Sequence, residues 1–112
     1  MVHRTFAAAA LTVMVGVMPL QAAEHQILIM GDGYFPDVAF VDPGDTVQFV
    51  NVTDLAGMAT ATDASWDSGV LEQNESFTLS VTEETHLEFA NGADPETATI
   101  HGALSFEPAP LQ

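Results

Sequence analysis

The chain has 112 residues, 16 Asp+Glu against one Lys+Arg, no cysteine, and a formal charge of −15. That length holds one small domain, and the absent cysteine excludes a disulfide framework, a thiolate zinc site, an iron–sulfur cluster and a cysteine nucleophile. With Arg4 as the sole Lys or Arg, the sequence excludes direct nucleic-acid binding and any Arg or Lys clamp on phosphate or carboxylate.

In chain order, residues 1–22 read as a secretory signal peptide. His3 and Arg4 form a short polar start, Phe6 to Met18 is an unbroken run of apolar and small residues, and Pro19-Leu20-Gln21-Ala22-Ala23 offers small residues for cleavage. The run is too short, and wrongly flanked, for a membrane span. Cleavage after Ala22 or after Ala23 is acceptable. The expected product is exported, periplasmic or secreted, with one domain over residues 23–112 and no membrane span. All 16 acids remain in it and Arg4 does not. Its charged partners inside the fold can therefore only be a protonated histidine or the new amino terminus. This acidity suits a saline environment, and the same field would steer the domain toward a cationic protein partner.

Beyond the leader, short alternating runs replace helical periodicity. Strands are expected over Gln26–Met30, Val38–Val41, Thr46–Val52, Met58–Thr62, Ser76–Val81, Thr85–Asn91 and Ile100–Phe106. Gly31-Asp32-Gly33 and Asp42-Pro43-Gly44-Asp45 punctuate them, and Pro108 and Pro110 close the chain. Phe77, Leu79 and Val81 share one face of their strand; Ile100, Gly102, Leu104 and Phe106 share another. Such runs with intervening turns predict an all-β fold, a Greek-key antiparallel β-sandwich.

The order of the punctuation is more specific than any one strand. Tyr34-Phe35-Pro36 precedes Pro43-Gly44-Asp45-Thr46-Val47, then Phe49 and Asn51, Asp67-Ser68-Gly69-Val70-Leu71, Ser76-Phe77-Thr78, Leu87-Glu88-Phe89, and Gly102-Ala103-Leu104-Ser105-Phe106. Over essentially the whole mature chain this resembles the cupredoxins, small blue copper proteins, and most closely the amicyanin and plastocyanin-like group. The resemblance implies a cupredoxin sandwich, a type 1 copper held by two histidines, a cysteine and an axial methionine, and electron transfer. The chain departs from it at the ligands. Met58, Asn91, Asp94 and Ile100 stand at the four positions where the resemblance places histidine, cysteine, histidine and methionine. Without a thiolate no type 1 centre forms.

Other candidate sites are few. With cleavage after Ala22, the terminus Ala23-Glu24-His25 offers an amine, two amides and an imidazole for square-planar Cu(II). His101, with loop carboxylates Asp94 or Glu96, is a weaker metal candidate; His86 and His101 are both expected on outward faces. Asp32, Asp37, Asp42 and Asp45 crowd two turns and offer oxygens for Ca²⁺, although Asp is common in turns. Met58 and Met30 are soft donors near the vacant end, but thioethers of this kind more often serve packing. No metalloprotease or paired-acid motif is present and no histidine stands in a nucleophile context, so the chain does not read as an enzyme. The function expected is a periplasmic binding or assembly module whose emptied copper end, with Asn91, Asp94 and Glu96, docks a cationic partner. Copper handling through a non-blue site at His25, and family-type electron transfer, are the alternatives. No resident cofactor is expected apart from copper held at such a non-blue site.

Overall fold

The computed structural model describes residues 22–92 and 94–111. Apart from Ala22, the leader assigned to residues 1–22 lies outside them. The described residues form eight strands: β1 (Glu24–Met30), β2 (Gly33–Phe35), β3 (Val38–Phe40), β4 (Thr46–Asn51), β5 (Thr60–Ala61), β6 (Ser76–Ser80), β7 (Glu88–Ala90) and β8 (His101–Ser105). They build two four-stranded sheets, ordered β2-β1-β4-β6 and β3-β8-β7-β5.

The sandwich is as expected, but its sheets are mixed rather than purely antiparallel. β1 lies parallel to β4 from Glu24↔Thr46 to Ile29↔Asn51, and β3 lies parallel to β8 from Val38↔Ala103 to Phe40↔Ser105. Parallel neighbours require a long crossover. Residues 31–45 supply one by turning back as β2, crossing to the other sheet as β3, and returning beside β1. β2 is the strand the alternation did not show, because three residues after a Gly-Asp-Gly turn are too few to display a period. It closes a hairpin on β1 through Leu28↔Phe35, Ile29↔Tyr34 and Met30↔Gly33.

Inward-facing residues follow the period of two. Ile27 and Ile29 of β1, Val47, Phe49 and Asn51 of β4, Leu79 of β6 and Phe89 of β7 are buried. Between the sheets the Phe49 and Phe89 rings meet edge to face at 5.2 Å, and Tyr34 meets Phe89 edge to face at 4.8 Å. Trp66 stacks on Phe77 at 6.4 Å and lies 5.7 Å from Phe49 and 5.9 Å from Phe89, so it touches strands of both sheets. Its indole N–H donates to the His86 carbonyl at 2.9 Å, satisfying the polar tip of an otherwise apolar ring.

Candidate functional site

Because β1 and β4 run parallel, their last residues reach the same end of the first sheet. Asn51 is fully buried there. Its amide nitrogen donates to the carbonyls of Leu55 at 2.7 Å and Leu71 at 2.8 Å, while its oxygen accepts from Thr53 N at 2.9 Å and Thr53 Oγ1 at 2.8 Å. Both amide protons and both oxygen lone-pair sites are engaged, which is what burial of such a group demands. This side chain folds the segment after β4 back onto Leu71. Gly57 lets that segment pass close to the core, since a Cβ there would lie 2.9 Å from Ile29 Cγ2.

Asn91, just beyond β7, does the same for the second sheet. Its side-chain oxygen accepts from Thr99 N at 3.1 Å and Ile100 N at 3.2 Å, and its nitrogen donates to Thr99 Oγ1 at 3.1 Å. The residue that the resemblance sets at the cysteine position is thus the clasp of the loop leading to β8. Asp94, in that loop, is exposed, and its carboxylate accepts from Glu96 N at 2.9 Å. It shapes its own turn.

Between the two clasps lies a cavity of about 230 Å³. Met58, Asn91 and Ile100 line it, together with Ile29, Met30, Tyr34, Leu55 and Val70. Three of the four residues that the resemblance sets at ligand positions are therefore brought together, and Asp94 is not among the lining residues. The Tyr34 hydroxyl donates to the Met58 carbonyl at 2.7 Å, and burial pushes its phenol above the ordinary range. The mouth is apolar: Leu55 is 70 % exposed, Val70 63 % and Met30 39 %. The sequence singled out none of Leu55, Val70 or Tyr34 for this site. Leu55 and Val70 sit in irregular segments where no period marks a face.

The other candidates lie elsewhere. At the opposite end of β1, the Asp45 carboxylate accepts from Ala23 N at 3.0 Å, from His25 Nε2 at 2.8 Å and from Asp42 N at 2.9 Å. The His25 bond leads in holding this carboxyl at about 2, with the two backbone N–H groups adding to it. A carboxylate only accepts, so His25 carries its proton on Nε2. Glu24 opens β1 beside Thr46. The turn aspartates do not converge as a calcium site would require: among the described residues no group of three or more His, Cys, Asp or Glu could hold a metal ion. His101 is exposed, and with Thr62 and Glu88 lines a separate cavity of about 310 Å³.

His86 is half-buried rather than on an open outward face. Its Nδ1 is 3.2 Å from Asp63 Oδ2 and its Nε2 2.7 Å from Thr62 Oγ1. Nε2 shares a hydrogen bond with the Thr62 hydroxyl, while the carboxylate lies beside the other ring nitrogen. The Ser65 hydroxyl, ahead of its backbone N–H, lowers the Asp63 carboxyl. Hydroxyl, imidazole and carboxylate are close together here, but the neighbouring Thr62 and Ala64 N–H groups are already engaged, with Glu88 O and Ala61 O. The relay ties the end of β5 to the segment before β7.

The copper that the resemblance implies does not fit these residues. Of the four positions, Ile100 has no donor, the Asn91 amide and Asp94 carboxylate are engaged within their own loop, and Met58 offers one thioether. The Cys thiolate and both imidazoles are missing.

No family model and no curated protein matches the chain. Solved structures do. A copper-containing nitrite reductase from Thermus scotoductus SA-01 superposes with a TM-score of 0.62 at 22 % identity, over 87 % of this chain and 25 % of that one. The chain thus spans about a quarter of that enzyme's length. A methionine-to-glutamine variant of amicyanin in the Cu(I) state gives 0.63 at 16 % identity, over 75 % of this chain and 82 % of that one. A proline-to-glycine variant of amicyanin, reduced at pH 4, gives 0.62 at 17 %, over 80 % and 86 %. The chain has the cupredoxin fold, and has it without the donors of a type 1 copper centre.

Proposed function

We propose that this is an exported binding module that docks a cationic protein partner with the end of the sandwich where relatives of this fold carry copper. The observation that supports the reading most is the apolar mouth: Leu55 and Val70 stand mostly in solvent around a cavity whose walls are fixed by the Asn51 and Asn91 clasps. Exposed apolar side chains around a preformed concavity are the composition of a recognition site. Asp94 and Glu96, exposed on the loop that runs between the lining residues Asn91 and Ile100, add negative charge to that loop, which favours a basic partner and fast, salt-sensitive encounter.

The test compares partners retained from a periplasmic extract by the parent and by the Leu55→Asp, Val70→Asp double variant. A protein held by the parent, lost with the variant and released as salt rises supports the reading. Equal retention by both overturns it. Electron transfer is not part of the proposal, because the thiolate that defines the type 1 centre is absent.

A second reading, Cu(II) held by Ala23, Glu24 and His25, meets a competitor in Asp45, which already engages Ala23 N and the His25 ring. On that reading Asp45→Asn raises Cu(II) affinity in a calorimetric titration and His25→Ala abolishes it. An affinity unchanged by His25→Ala disposes of the chelate.

A further inference from the structure

We propose that the leader is cut between Ala22 and Ala23, and that the α-ammonium released there binds Asp45 as the counter-ion of this fold. The inference rests on the export reading of residues 1–22 and is independent of the docking function.

Asp45 is a buried carboxylate, 7 % exposed, in a domain that has no Lys or Arg after residue 4. A buried anion persists only when hydrogen-bonded and compensated by opposite charge. One oxygen is met by Asp42 N and His25 Nε2; the other is met by Ala23 N at 3.0 Å. The Ala23 carbonyl in turn accepts from Thr46 N at 3.0 Å, and β1 begins at the next residue. Both polar backbone groups of Ala23 are therefore fixed by the domain itself.

Each alternative bond gives a different outcome at Asp45. Hydrolysis after Ala22 adds water across the peptide bond, leaving a carboxylate on Ala22 and an amine on Ala23. That amine is protonated near neutral pH, so the same nitrogen keeps its place and gains a positive charge, making a charge-assisted bond. Hydrolysis after Ala23 removes both that nitrogen and the carbonyl that receives Thr46 N–H. A cut further upstream leaves Ala23 N a neutral amide. The sequence leaves the two bonds equivalent; the buried carboxylate distinguishes them.

The experiment expresses the chain with its own leader in an exporting bacterium and reads the intact mass of the purified product. A start at Ala23 is expected. A start at another residue overturns the proposal, and an unprocessed chain overturns the export reading with it. The chain starting at Ala23 is then compared with its Nα-acetylated form, which keeps the N–H and loses the charge, and with a chain starting at Glu24. Acetylation should lower Tm by about 4–8 °C and removal of Ala23 by more. In Asp45→Asn the acetylation should have no effect. Acetylation that leaves Tm unchanged while Asp45 is intact overturns the ammonium–Asp45 pairing.

Discussion

Asp45 couples stability to acidity through one side chain. Its folded carboxyl sits at about 2 rather than 3.8, so the folded state holds the anion more tightly than the unfolded chain does. That contribution is complete above the unfolded value and is lost as pH falls from about 4 toward 2. A tenfold change in proton affinity is worth ~1.4 kcal/mol, and solvent screening reduces it, so the contribution at pH 7 is about 1–2 kcal/mol. Asp45→Asn should therefore unfold at lower urea than the parent at pH 7, and the gap should narrow steadily by pH 2.5. A gap that stays constant over this range would show that the carboxylate charge is not the cause. This residue was visible in the sequence only as one of four turn aspartates. The donors that make it different come from Ala23 and His25, brought to it by a parallel pairing that no local pattern encodes.

The strands themselves were largely legible, because alternation marks a half-buried surface whatever the partner. β4, β6 and β8 lie where Val47/Phe49, Phe77/Leu79 and Gly102/Leu104 alternate with polar residues. Partner choice and direction were not legible, since they depend on crossovers rather than on period. Of the residues that the order of motifs assigned to the ligand positions of the resemblance, Met58, Asn91 and Ile100 meet at one cavity. Its apolar mouth was not readable, because Leu55 and Val70 carry no periodic signal. Within the second sheet, Gly102 of β8 has a steric duty. A Cβ there would lie 2.5 Å from Cε2 and Cζ of Phe89 and 3.1 Å from Cδ2 of Tyr34. Phe89 is itself locked between Phe49, Trp66 and Tyr34 and cannot swing away. Gly102→Ala should cost about 1–3 kcal/mol in denaturant unfolding, the range for overpacking a core. A loss below about 0.5 kcal/mol would mean the Phe89 ring repacks freely.

For the whole domain, 16 carboxylates without a Lys or Arg after residue 4 make self-repulsion the dominant long-range term. Salt shortens its reach, from a Debye length of about 30 Å at 0.01 M to about 3 Å at 1 M. Tm at neutral pH should therefore rise by several degrees between 20 mM and 1 M NaCl, in both the parent and Asp45→Asn. A Tm independent of salt would show that the acids are spaced too widely to repel.

Trp66 gives the molecule a built-in optical probe. It is the only tryptophan in the chain, and its indole rests on Phe77 of one layer and near Phe89 of the other while its N–H is bound to a carbonyl. Separation of the layers must expose that ring to water and shift its emission to longer wavelength. A single fluorescence trace thus follows opening of the interface between the sheets, with no label added.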